Sequence, residues 1–189
     1  MTLKLKIIVG STRPGRVGPT VGSWVEKAAR EHGGFDVDLV HLADQDLPLL
    51  DEPAHPAMQQ YEHDHTKAWS ARMADADAYV FVTPEYDFFP NAALINAVQV
   101  LSKEWNYKPA AVVSYGGISG GMRAAQELRL LLAGLAMMPI PQGVPVPCFP
   151  EFIDDNGVFT PNAKMAEGAS LMFTELAKWG DALKPLRAG

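Results

Sequence analysis

Leu3-Lys-Leu-Lys-Ile-Ile-Val-Gly-Ser-Thr-Arg-Pro-Gly-Arg-Val-Gly18 is the stretch on which the fold turns. The run from Leu3 to Val9 closes on three apolar residues and stops at Gly10-Ser11-Thr12, the pattern of a strand buried on both faces. After the loop, Pro19 supplies a helix-opening proline, and Val21, Trp24, Val25, Ala28 and Ala29 recur at helical spacing. Gly33-Gly34 ends that helix. A strand, a glycine-bearing loop and an amphipathic helix make the first unit of an alternating chain.

The same unit recurs outward from there. Phe35 to Leu42 alternates as a second strand, and Ala78 to Val82 is a third, fully apolar one cut off by Thr83-Pro84. Ala110 to Val113 is the fourth, running into Ser114-Tyr115-Gly116-Gly117. Helical stripes follow: a weak one over 61–74 with Trp69 and Met73 one turn apart, then Leu94, Ile95, Val98 and Leu101, then Leu128, Leu131, Leu132 and Leu135. The last helix is expected from about Asn162 to Leu183, with Ala169, Met172, Phe173 and Leu176 inward. Between them Pro139, Pro141, Pro145, Pro147 and Pro150 confine any fifth strand to a sheet edge, where missing amides do least harm. Five such units imply one α/β domain over residues 1–189, a doubly wound parallel sheet with helices on both faces. In such sheets a ligand sits outside the carboxyl ends of the strands, where the strand order reverses.

Three loops leave those ends with unusual composition. Gly10 to Gly18 joins a strand to a helix N-terminus, whose free amides and positive end suit a phosphate, and Ser11, Thr12, Arg13 and Arg16 add hydroxyl and guanidinium donors. Arg16-Val17 after Gly15 breaks the Gly-x4-Gly-Lys-Ser/Thr pattern, and Gly-x-Gly-x-x-Gly is absent, so the phosphate reads as terminal on a mononucleotide. Thr83 to Pro90 sets Tyr86, Phe88 and Phe89 between two prolines beside Glu85 and Asp87, a stiff aromatic platform for a planar ring. Ser114 to Gly121 is dense in glycine, which permits close backbone approach to a ligand.

Composition narrows the alternatives. Sixteen Lys plus Arg against twenty-two Asp plus Glu give a net charge of −6, without the basic surplus of a nucleic-acid binder. Cys148 is the only cysteine, which rules out an intrachain disulfide or a Cys-rich metal centre, and it reads as a buried or neutral thiol. His63-Asp64-His65 lacks a third ligand, so no metal site is assigned. Neither Ser11 nor Ser114 sits in a nucleophile elbow. The N-terminal segment is too short and too soon polar for a secretion signal, and no apolar run nears the roughly twenty residues of a membrane span. A cytoplasmic protein with no membrane or nucleic-acid partner is expected.

Gly10-Ser-Thr-Arg-Pro-Gly-Arg16, Thr-Pro-Glu-Tyr-Asp-x-x-Pro-x-x-Leu-x-Asn-Ala over 83–97, and Ser-Tyr-Gly-Gly-x-x-Gly-Gly over 114–121 together resemble the NADPH-dependent FMN reductases. That flavodoxin-like group includes quinone, azo-dye and chromate reductases. Asp46-Leu-Pro-Leu-Leu-Asp51 is similar to a further loop of the family, and the likeness spans roughly 3–145. The resemblance implies strand order 2-1-3-4-5 and FMN as cofactor, with its phosphate held by Ser11, Arg13, Arg16 and Val17. It implies the ring edge held by Pro84, Glu85, Tyr86 and Asp87, with Ser114, Gly116 and Gly117 opposite. Asp87 stands where the family has Asn, and an ionised Asp cannot donate as Asn does.

The implied activity is transfer of electrons from NADPH or NADH to a small acceptor such as a quinone, azo compound or free flavin. The hard chemistry belongs to the cofactor, so no catalytic residue is nominated. Rival readings are a flavodoxin-type carrier and a redox-sensing flavoprotein acting through a protein partner. The first loop lacks the Thr/Ser-x-Thr-Gly-x-Thr pattern associated with carriers. Phe88 and Phe89, continued by Leu94 and Val98, are expected to form an apolar mouth that a homodimer or homotetramer covers, with Leu47 to Pro56 as a covering loop.

Overall fold

The computed structural model describes residues 2–187. Five parallel strands, β1 (Leu3–Val9), β2 (Phe35–His41), β3 (Ala78–Pro84), β4 (Pro109–Tyr115) and β5 (Met138–Val146), lie in the order β2-β1-β3-β4-β5 expected from the sequence. Helices α1 (Gly18–His32), α2 (Asp64–Ala74), α3 (Ala92–Gln99), α4 (Met122–Gly134) and α5 (Ala163–Leu183) cover the two faces. Alternation along β1 divides the core. Leu5, Ile7 and Val9 pack with Val21, Val25, Met172 and Phe173 from α1 and α5. Ile8 joins Trp69, Met73, Leu94, Val98 and Leu128 from α2, α3 and α4. Lys6, buried on that second face, is neutralised by Asp38 at 2.9 Å.

β3 and β4 are buried along their whole length, as central strands of a covered sheet must be. β5 is the edge strand that its prolines require. Pro139, Pro141 and Pro145 share one parity, so their missing donors fall on one side of the strand, while the Met138 amide donates inward to the Lys108 carbonyl. Ile140, Val144 and Val146, of the other parity, are buried.

Two expectations are corrected. Leu94 and Val98 are core residues, 0% and 1% exposed, and form no part of an open mouth. They face the sheet because α3 is only eight residues long and lies directly on it; Leu101 is buried beyond the helix end and Ile95 is only half-buried. α2 begins at Asp64, leaving Tyr61 outside the helix, its hydroxyl donating to Glu104 at 3.2 Å. Cys148 is half-buried in a left-handed conformation after β5, its amide donating to the Gly117 carbonyl.

Candidate functional site

The loops after β1, β3 and β4 emerge side by side because their strands are neighbours in the sheet. The ladder continues into them: the Gly10 amide donates to Val82 and the Glu85 amide to Tyr115. The first loop is pressed against α1. A Cβ on Gly18 would lie 2.1 Å from Ser11 Oγ and 2.9 Å from the Tyr115 hydroxyl, so only glycine lets the helix begin there.

Between the loops lies a cavity of about 90 Å³. Arg13, Arg16 and Val17 line it from the first loop, Pro84, Glu85 and Tyr86 from the second, and Gly116 from the third. Tyr115 and Phe149 complete the wall, their rings 5.5 Å apart and edge to face. Neither had been given a role from the sequence. Tyr115 was hidden inside the glycine motif, and Phe149 arrives from beyond β5, where its only signal is an aromatic among prolines. Burial pushes the Tyr115 phenol up to about 12, against the opposing pull of Ser11 and of the two arginines, so it remains a neutral donor. Ser11, Asp87, Ser114 and Gly117 belong to the same loops but do not line this cavity.

One donor in the cavity lining is unspent. Arg16 Nε is buried without a hydrogen-bond partner among the described residues, while Ser11 Oγ, buried but outside the lining, has the Tyr115 hydroxyl as its neighbour. Buried polar atoms are nearly always paired, and an unpaired one costs about 1–3 kcal/mol. Arg16 stands where α1 starts, so a phosphate oxygen is the acceptor that suits it. Beside the cavity Tyr86 is exposed, and a Cβ on Gly117 would meet no heavy atom within 4 Å, so both loops leave open surface there.

The other two loops are braced from behind. The Ser114 hydroxyl points inward and donates to the Gly120 carbonyl at 2.9 Å. The Glu85 side chain, 6% exposed, also turns away from the mouth. It accepts from Arg123 Nε at 2.7 Å, from Ser119 Oγ at 3.0 Å and from the main-chain amides of Arg123 and Ala124. Glu85 thereby caps α4 from another loop, and the helix has no side-chain cap of its own behind Gly121. Burial alone would raise the Glu85 carboxyl, but these bonds outweigh it and hold the group below the usual range. What Glu85 can present to a ring is its backbone.

Tyr86 to Phe89 form a tight turn with reciprocal amide bonds of 2.9 Å. Asp87 at φ 48° and Phe88 at φ 76° occupy its centre. This is the hand of turn that Asn-Gly adopts readily. Asp tolerates it, whereas a phenylalanine held there costs on the order of 1–2 kcal/mol. Phe88 and Phe89 are more than half exposed. The proline-rich loop is tethered to α3: Asn96 Nδ2 donates to the Pro48 carbonyl and Asn96 Oδ1 accepts from the Leu50 amide. His63 and His65 stack 5.2 Å apart and bind Asp51, fastening the far end of that loop to α2.

Larger hollows of about 670 and 950 Å³ lie elsewhere. The first, at the amino ends of the strands, is walled by charges already paired with one another, such as Lys4 with Asp75 and Arg187 with Asp77. The second is a groove beside α1 and α5. Neither gathers the strand-end loops.

A sheet of order 2-1-3-4-5, with a phosphate-ready first loop and aromatic and glycine loops at its switch point, defines a flavodoxin-like mononucleotide-binding protein. The NADPH-dependent FMN reductase family matches residues 3–150, and the chain belongs to that family. A Schizosaccharomyces pombe protein named NAD(P)H-dependent FMN reductase is 39% identical over 163 residues, 85% of this chain and 80% of its own. A Nectria protein of the same description is 35% identical over 97% and 93% of the two chains. More distant relatives are named NADPH azoreductase and NADPH:quinone oxidoreductase. Among solved structures, the Paracoccus denitrificans flavoenzyme FerB shares the fold with a TM-score of 0.72 at 21% identity, over 95% of this chain and 98% of that one. The protein is thus an oxidoreductase of the FMN reductase family, with FMN as cofactor and NAD(P)H as donor.

Proposed function

We propose that the protein binds FMN across the three strand-end loops and passes electrons from NADPH or NADH to a small organic acceptor, a quinone, an azo compound or free flavin. The observation that supports the placement is the unspent donor Arg16 Nε, buried at the start of α1 in the lining of the cavity. Arg13, Arg16, Ser11 and the Val17 backbone hold the phosphate, while Tyr86, Asp87, Pro84 and the backbone of Glu85 flank one edge of the ring. Ser114 braces the glycine loop so that Gly116 and Gly117 meet the opposite edge. FMN supplies the chemistry when bound, taking up hydride and releasing electrons at its ring. The residues around it bind, orient and exclude water, and none is asked to act as an acid or base. If donor and acceptor share this one site beside FMN, they would react in turn, with ping-pong kinetics.

Support for the acceptor class comes from the names of the quinone and azo reductase relatives. Among the described residues no helix is long and apolar enough to cross a membrane, and the reading places the reaction in the cytoplasm, where reduced nicotinamide is available. A second subunit completes the mouth in the same reading. Tyr86, Phe88, Phe89, Ile118 and Met122 leave it exposed and apolar, and a homodimer or homotetramer covers such a patch by symmetry. The test is the visible spectrum of the purified protein, followed by NAD(P)H oxidation with a quinone, an azo dye and free FMN as acceptors. A protein without flavin absorbance that takes up no added FMN refutes the reading.

A further inference from the structure

We propose that Arg123, on the first turn of α4, is a positioning residue for the flavin ring: one guanidinium holds Glu85 and Phe88 together and ties both ring-flanking loops to the same helix. The proposal rests on reading the cleft as the FMN site. Glu85 and Phe88 are the two residues that bracket Tyr86 and Asp87, the pair nearest the mouth. Arg123 Nε donates to Glu85 Oε1 at 2.7 Å, and its terminal nitrogen forms the ion pair with the same carboxylate. The guanidinium carbon lies 3.8 Å from the centre of the Phe88 ring. The terminal nitrogen also donates to Ser119 Oγ at 3.0 Å, and Ser119 in turn donates to Glu85. Ser119 belongs to the glycine loop after β4, so the loops after β3 and β4 meet on this one side chain.

The turn between Glu85 and Phe88 needs such support. Two consecutive non-glycine residues with positive φ are unfavourable in isolation, and they persist when surrounding contacts over-determine them. Stacking Phe88 on a cation supplies one contact, and the nearly buried Glu85 anchor supplies the other. Arginine alone does both, because its planar head offers an edge to the carboxylate while its face covers the ring; an ammonium is a point charge and cannot.

The test compares Arg123→Gln and Arg123→Lys with the wild type. Apo protein is titrated with FMN and with riboflavin, the midpoint potential of the holoenzyme is measured, and KM and kcat are separated for NADPH. Near-UV circular dichroism of the apo forms reports folding. Arg123→Gln should weaken FMN and riboflavin by the same factor, at least about tenfold, because the ring and not the phosphate loses its support. It should also shift the potential. Arg123→Lys should restore the fold by neutralising Glu85, yet leave riboflavin binding impaired. Wild-type riboflavin affinity and potential in a folded Arg123→Gln protein, or in folded Arg123→Lys if the Gln variant does not fold, overturns the proposal. Arg16→Ala separates the two levels of inference. If it weakens FMN while folded Arg123 variants do not, the cleft stands and the positioning role falls; if neither changes FMN affinity, both fall.

Discussion

Replacing Arg16 by Ala separates phosphate recognition from ring recognition in a single measurement. Arg16 Nε is already buried without a partner, so the free protein has met the cost of removing that donor from water. A phosphate oxygen placed against it gains a charge-assisted bond with little further desolvation. Hydrogen bonds to charged groups contribute about 1.5–3 kcal/mol, so FMN should bind about 10- to 150-fold more weakly to the variant. Riboflavin has no phosphate, and its affinity should change by less than about twofold. Arg13 is exposed, so solvent screens it, and Arg13→Ala should fall at the low end of the same range. The thermal stability of the apo protein should hold or rise with Arg16→Ala, since an unpaired buried donor is removed. Titration of apo protein by flavin fluorescence quenching, with both ligands and at two ionic strengths, reads all of this. Equal losses for FMN and riboflavin would refute the phosphate assignment, and so would an unchanged FMN affinity.

Tyr86→Ala should lower turnover or flavin retention, because that ring faces the mouth, whereas Tyr61→Ala should lower only the melting temperature through its lost bond to buried Glu104; a flavin defect in the Tyr61 variant contradicts this. Lys108 makes a pH prediction. Burial, with Arg187 nearby, brings its ammonium down to about 8 from 10.5, while its Nζ donates to the carbonyls of Met73 and Ala74 at the end of α2. Between those values the unfolded chain keeps a proton that the folded one releases, so stability relative to Lys108→Met should rise with pH across the 8–10.5 window, by about 3 kcal/mol at most. Parallel urea-unfolding profiles for the two proteins over that window would show the assignment to be wrong. Phe88→Asp with Phe89→Asp should dissociate the oligomer in sedimentation and reduce activity; a native monomer with full NAD(P)H-dependent activity ends the subunit proposal.

Periodicity and punctuation decide local structure, and at that level the chain is legible from its sequence. The apolar runs at 7–9, 78–82 and 110–113, each stopped by a glycine, proline or serine loop, read as covered strands, and prolines of one parity in 138–146 belong on an edge. The composition of the three strand-end loops singles them out, and the adjacency of β1, β3 and β4 brings them to one end of the sheet, where the nucleotide is proposed to bind. Side-chain direction is another matter, because it follows from contacts between residues far apart in the chain. Glu85 reads in sequence as one of a ring-facing group, yet its carboxylate turns to the amides of α4, thirty-eight residues away. Leu94 and Val98 read as an apolar mouth, but a helix of two turns lying on a sheet must bury its widest stripe. Arg123, Tyr115 and Phe149 acquire their places only when β4, β5 and α4 converge, since no spacing in the sequence brings an arginine over the ring of residue 88. The sequence alone thus determines which segments become strands and helices and which loops share an end of the sheet. Only the tertiary structure decides which atoms of those loops are spent on holding the fold and which are left to meet a ligand, because that division depends on long-range packing and on where buried donors find acceptors.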